Sequence, residues 1–348
     1  MSQSASMAVV NGEGIGPSIV QAALAVLTAA TDVTGRTVDV HRMAELSERD
    51  EFGLVVGAKT QKDFESVFSD GLPVLHGPAG GRFVYQLRDI FGLAVKHTPI
   101  VPWAELSNAS IVDSRISDAS DILIVRDNAG GLYQGEYSRD DDSATHSAKY
   151  TVEQVETVIT SAVVAAESRN NSLAVVTKPG GIPTISRLWR DVAERIVPEH
   201  IALEFLEIDN ACFQIVANPT RFDVIATPNM FGDVLGDTAT VLLGSRGMAY
   251  SVNLGANGRA VYQTAHGAAH DLAGKDLANP IAQILSLAWL LRDSLGLIEE
   301  AECIVTAVRT ELGRNVRTLD IAHPDSMIVG TSRFTERVCE EIRASSGA

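Results

Sequence analysis

The segment Asn229-Met230-Phe231-Gly232-Asp233-Val234-Leu235-Gly236-Asp237 sets two carboxylates four residues apart, directly after the apolar run Phe222 to Ala226. On a helix, positions i and i+4 share one face, so Asp233 and Asp237 can offer oxygens to a single cation. Carboxylate oxygens are the donors that Mg²⁺ or Mn²⁺ prefers, and both ions keep coordination positions for substrate and water. A third aspartate, Asp209, lies upstream in Ile208-Asp209-Asn210-Ala211-Cys212. Alone, an Asp-x-x-x-Asp pair reads as readily as the solvated face of a helix. Gly232, Gly236 and the apolar Val234, Leu235, Val241 and Leu242 argue for a site instead, because charge near a core persists only when paired or metal-bound.

These residues need rigid elements to hold them. Buried strands are expected at Met7 to Val10, Pro73 to His76, Ile122 to Arg126, Leu173 to Thr177, Ala202 to Asp209 and Phe222 to Ala226, with an amphipathic helix over Ser18 to Ala30. Alternating strands and helices predict an α/β fold. The polar run Glu136 to Tyr150, with Asp140-Asp141-Asp142, reads as a protruding arm. Gly12-Glu13-Gly14-Ile15-Gly16-Pro17 imitates a dinucleotide fingerprint, but Pro17 stands where a helix-packing glycine belongs. A Rossmann fold is not expected.

The 348 residues suggest two domains, and 45% hydrophobic with 21% charged residues is ordinary globular composition. A formal charge of -16 argues against a nucleic-acid partner. No membrane span or leader is expected, which points to the cytoplasm. Cys212, Cys303 and Cys339 are too few and too scattered for a disulfide framework or zinc site.

Taken together, the chain resembles the isocitrate/isopropylmalate family of metal-dependent β-decarboxylating dehydrogenases. The resemblance is carried by Phe222-Asp223-Val224-Ile225-Ala226-Thr227-Pro228-Asn229-Met230-Phe231-Gly232-Asp233 and by His266-Gly267-Ala268-Ala269-His270-Asp271-Leu272-Ala273-Gly274-Lys275, and extends from Gly12 to Thr331. It implies an isopropylmalate dehydrogenase-like open α/β sheet with two domains around a central cleft: a terminal, nucleotide-binding domain of residues 1-98 and 250-348, and a metal and dimerisation domain of 99-249 with the arm at about 136-150.

Carried over position by position, the resemblance implies that Asp233 and Asp237 of one subunit and Asp209 of its neighbour hold Mg²⁺ or Mn²⁺ against the hydroxyl and carboxylate of a 2-hydroxy acid. Lys178, again from the neighbour, takes the hydroxyl proton, which requires burial or nearby cations to depress its pKa. Tyr133 returns a proton to the carbon that loses CO₂. The chain is thus expected to be a homodimer with shared active sites. For the cofactor, His266, Gly267, Ala268, Asp271, Leu272 and Asn279 match the nucleotide loop. Asp271 stands where NAD-using members accept the ribose hydroxyls, and a 2′-phosphate there would meet like charge, so NAD is expected.

Arg88 and Arg126 match two of three substrate-clamping arginines, but the third position is Thr98, with Lys96, His97 and Arg82 as nearby replacements. Gly180 replaces an expected asparagine, and Gly130 an expected glutamate. The segment reading the third substituent of the substrate offers Arg82 and Tyr85, which favours a polar or anionic group such as carboxylate or phosphonate over a branched alkyl. The function expected is therefore NAD- and metal-dependent oxidative decarboxylation of a substituted malate. The alternatives are a dehydrogenase of tartrate- or malate-like acids that does not decarboxylate, and a non-catalytic regulatory homologue.

Overall fold

The computed structural model describes residues 5–110, 112 and 119–345. In chain order the principal strands are β1 (Ala5–Val10), β2 (Val38–Arg42), β3 (Val74–His76), β4 (Val95–Ile100), β5 (Ile122–Asp127), β6 (Ser172–Thr177), β7 (Ala202–Glu207), β8 (Val224–Thr227) and β9 (Ala260–Thr264). The helices are α1 (Gly16–Thr34), α2 (Ala58–Ser69), α3 (Phe83–Ile90), α4 (Val152–Glu167), α5 (Pro183–Ile196), α6 (Ile208–Ala217), α7 (Asn229–Ala239), α8 (Ile281–Asp293), α9 (Ile298–Gly313) and α10 (Thr331–Ser345). The chain divides into two compact units. The first comprises the described parts of Met1–Gln86, Gly244–Val252 and Asn257–Ala348, the second those of Leu87–Leu243 and Asn253–Ala256.

In the first unit β9, β3, β1 and β2 lie side by side and parallel. Placing β1 between β2 and β3 departs from the Rossmann order, in which β3 lies beyond β2. The glycine loop after β1 is a packing device. Gly12 (φ 72°) and Gly14 (φ 61°) are left-handed, and a Cβ on them would stand 2.2 Å from the Pro78 carbonyl and 2.0 Å from the Ala268 carbonyl. Only glycine permits that approach, which lets Ile15 N–H donate to Ala268 O at 2.8 Å. Contrary to the sequence expectation, α1 is long and apolar enough to cross a membrane by length and composition. Its apolar residues, among them Ile19, Val20, Ala23, Val26 and Ala30, are buried in the protein, which gives it the character of a core helix.

In the second unit the order is β7, β6, β8, β5, β4, parallel except for β4, which runs antiparallel to β5. Val155, Val158 and Ile159 of α4 pack with Trp189 of α5 against Val125, Val175 and Val224. A capping box starts α4: the Thr151 side chain accepts the Gln154 N–H while the Gln154 side chain accepts the Thr151 N–H. The arm is a short antiparallel hairpin of Tyr137–Arg139 and Ala144–His146, exposed throughout. The strand expected to reach Asp209 stops at Glu207, and Asp209 opens α6 instead.

Candidate active site

The helical face proposed for Asp233 and Asp237 is real: both lie on α7. Gly232 lets that helix press on β5 and β8, since a Cβ there would lie 2.7 Å from Arg126 Cγ and 2.9 Å from Thr227 Cγ2. Val234, however, is 51% exposed rather than part of a core, because it falls on the outer side of the helix.

Arg126, 3% exposed at the end of β5, organises the site. Its Nε and Nη2 donate to Asn229 Oδ1 at 3.2 and 2.8 Å, and its Nη1 pairs with Asp233. The Tyr133 hydroxyl donates to the other Asp233 oxygen at 3.1 Å. Burial pushes the Asp233 carboxyl up, but Arg126, Lys96 and the Tyr133 hydrogen bond outweigh it and hold the group below the ordinary range, ionised. An ionised carboxylate with a second one turn away, all hard oxygen donors, fits a divalent cation of the Mg²⁺ or Mn²⁺ kind. Within one chain Asp209 does not join that pair. Its carboxylate is taken by Lys178, and among the described residues no three His, Cys, Asp or Glu side chains are gathered for a metal.

Lys178 follows β6 and binds both Asp209 and Glu207, the latter at 2.5 Å. The hydrogen bonds it donates to Asp209 and then to Glu207 raise its pKa, the reverse of what a base requires. Glu207 was missed by the sequence reading. Its only signal is its place at a strand end two residues before Asp209. Gly180 leaves open space, with Glu207 Oε1 3.7 Å from where its Cβ would be.

Gly130 is different. A Cβ there would stand 2.8 Å from the Tyr150 ring, and one at Gly131 (φ 74°) 2.2 Å from the Tyr150 hydroxyl, so packing forbids the expected glutamate. That hydroxyl bonds Asp127, which is fully buried and also accepts Ala129 N–H at 3.1 Å and Gly130 N–H at 2.9 Å. Burial pushes Asp127 up to about 6 despite these donors.

Thr98, expected where the family carries its third arginine, is 6% exposed on β4. Lys96 lies on the same face two residues earlier, 7% exposed and directly opposite Arg126 in the β4–β5 register. Burial, with Arg88 and Arg126 beside it, holds Lys96 well below the ordinary lysine value against the pull of Asp233 and Asp237. His97 points to the other face, where Nε2 meets Ser161 Oγ at 2.7 Å. Arg88 on α3 is 6% exposed. In the first unit, Arg82 lies 6.0 Å from the centre of the Tyr85 ring.

Also in the first unit, a cavity of about 380 Å³ is lined by His266, Gly267, Ala269, Leu272 and Asn279 together with Arg246 and Asp320. Ala268 is buried and is not among the lining residues. Asp271 sits exposed in the short turn His270–Leu272, and no helix begins at Leu272. The Asn279 side chain is already engaged, donating to Asp320 Oδ2 at 3.0 Å and accepting Ile281 N–H at 2.9 Å. Arg246 and Asp320 were not foreseen, since nothing local links them to the nucleotide loop.

The fold and these groups define an α/β protein with a carboxylate and arginine site in one unit and a cavity of about 380 Å³ in the other. An isocitrate/isopropylmalate dehydrogenase family model matches residues 6–338, and the chain belongs to that family. It is 35% identical to the 3-isopropylmalate dehydrogenase of Halalkalibacterium halodurans, over 97% of this chain and 98% of that protein. It is 34% identical to that of Methylococcus capsulatus, over 97% and 99%. The crystal structure of isocitrate dehydrogenase from Methylococcus capsulatus superposes with a TM-score of 0.82 at 28% identity, covering 97% of this chain and 99% of that one.

Proposed function

We propose that the protein is a divalent-metal- and NAD-dependent dehydrogenase that oxidatively decarboxylates a substituted malate. The observation that carries this reading is the Arg126–Asn229–Asp233–Tyr133 cluster, in which a clamp cation, a metal-ligand candidate and a proton donor share one hydrogen-bonded frame. Asp233 and Asp237, with Asp209 of a second subunit, are the residues that would hold the metal. The bound ion would lower the pKa of the substrate hydroxyl and stabilise the negative charge left by CO₂.

The chain's own side chains supply the rest. Arg88 and Arg126 bind carboxylate, and Tyr133 O–H stands ready to deliver a proton. Lys178 would accept the hydroxyl proton once Asp209 and Glu207 no longer hold it protonated. The cavity in the first unit would hold the dinucleotide, with Asp271 supplying an acceptor for the ribose hydroxyls and Asn279 contacting adenine through its backbone, since its side-chain amide is engaged. A homodimer is supported by exposed Phe213 on α6 (66%) and Val234 on α7 (51%), and by the exposed arm.

The test is an NADH-production screen with Mn²⁺ against isopropylmalate, isocitrate, homoisocitrate, tartrate, malate and a phosphonomethylmalate, with CO₂ scored separately. Asp233→Asn should cripple the best activity. Turnover undiminished in excess chelator overturns the metal requirement, and oxidation without CO₂ favours the tartrate- or malate-like alternative.

A further inference from the structure

Three cations converge in the second unit. The charged groups acting on Lys96 are Arg88 of α3, Arg126 of β5 and the two α7 aspartates, Asp233 and Asp237. If those carboxylates serve a divalent cation, buried Lys96 is released from their pull and can meet an anion bound beside that ion. Burying an ammonium is costly unless an anion meets it. The strand explains how Lys96 comes to be there. Residues 96 and 98 share a face, about 7 Å apart along β4, so a cation lost at Thr98 has its nearest substitute one pleat away. His97 is excluded by its engagement with Ser161 on the opposite face.

We propose that Lys96 is the third cation of the anion clamp, reading the second carboxylate of a dianionic 2-hydroxy acid. This rests on the function proposed above and deepens it: the ligand must carry two carboxylates short enough in span to reach both Arg126 and its cross-strand partner. A Lys at this place is a point charge in place of a bidentate fork, so it tolerates more variation in carboxylate orientation than an arginine would.

The experiment compares full-length wild type with Lys96→Met, which keeps the apolar stem, Lys96→Arg, and Arg126→Gln. Each is titrated in the presence of Mn²⁺ with malate and with the monocarboxylate 2-hydroxybutyrate, read by thermal shift, and Mn²⁺ is titrated alone. Lys96→Met should weaken malate by about tenfold or more, the range for a hydrogen bond to a charged group. It should leave 2-hydroxybutyrate and Mn²⁺ close to wild type, and Lys96→Arg should retain malate binding. Equal malate affinity in wild type and Lys96→Met overturns the proposal, as does a loss shared equally by malate and Mn²⁺, which would report a general disturbance of the site rather than a lost carboxylate contact. If malate binds wild type and Arg126→Gln equally well, the proposed function itself fails. Weakening in Arg126→Gln with none in Lys96→Met sinks the role of Lys96 alone. No malate response in wild type counts against both.

Discussion

The phenol oxygen of Tyr150 accepts the backbone N–H of Asn229 at 3.0 Å. That amide is the first of α7, and the preceding Pro228 offers it no side-chain cap. The same hydroxyl bonds buried Asp127, while the Asn229 side chain donates to Gly130 O at 3.0 Å and receives Arg126. One tyrosine therefore ties the end of β5 to the start of the helix that carries Asp233 and Asp237.

Tyr150→Phe keeps the ring that fills the space over Gly130 but leaves a buried N–H without its acceptor. The expected cost is about 1 to 3 kcal/mol of stability, measured by urea unfolding, with a raised KM for the hydroxy acid because Arg126 loses its fixed frame. Wild-type stability and KM together would show the hydroxyl to be dispensable. Gly130→Ala should be destabilised by about 1 to 3 kcal/mol, since its Cβ overpacks the ring.

Mixing two inactive proteins tests the shared site. Lys178 and Asp209 pair with each other and not with Asp233 and Asp237, as a site built across two subunits requires. Lys178→Ala and Asp233→Asn, each dead alone, should regain part of the activity when subunits exchange, because some mixed dimers hold one intact site. Proven exchange without recovered activity ends the idea.

Arg82→Ala should raise KM for a substrate bearing an anionic substituent, by a factor corresponding to about 1.5 to 3 kcal/mol. NAD affinity should not change, since the cavity proposed for the dinucleotide is lined by other residues. Wild-type kinetics on the best substrate would remove the main support for an anionic third group.

His76 sets an acid limit on stability. It is fully buried between Phe64 and Phe83, its Nε2 has no hydrogen-bond partner among the described residues, and burial pushes its pKa down to about 4. The unfolded chain binds the proton near the ordinary value of 6.5. Stability is therefore whole above pH 6.5 and falls as pH drops toward 4, by about 3 kcal/mol over that window. Relative to wild type, His76→Phe should lose less stability between pH 7 and 4.5. Parallel curves would mean that His76 accepts a proton without penalty. Asp127, raised to about 6, acts with opposite sign, its contribution fading as pH rises through that value, so the comparison must be of variant with parent at each pH.

What could be seen in the sequence was what depends on near neighbours. The i,i+4 spacing of Asp233 and Asp237 implies a shared helical face whatever surrounds it, and apolar runs such as Phe222 to Ala226 announce buried strands because both periods are local. The family resemblance rests on such contiguous segments. What depended on chain returning from far away was not legible. Only the β4–β5 register sets Lys96 opposite Arg126, and only Tyr150 arriving twenty residues later makes Gly130 obligatory rather than a lost glutamate. Likewise Asp209 and then Glu207 reach Lys178 because β7 lies beside β6, and together they reversed the expected direction of the Lys178 pKa. Residue types and spacing state which groups can do chemistry, but burial and charge partners are properties of three-dimensional neighbours, so the tertiary structure alone decided which lysine is buried opposite Arg126, which lysine is held protonated and which glycine lies against the Tyr150 ring.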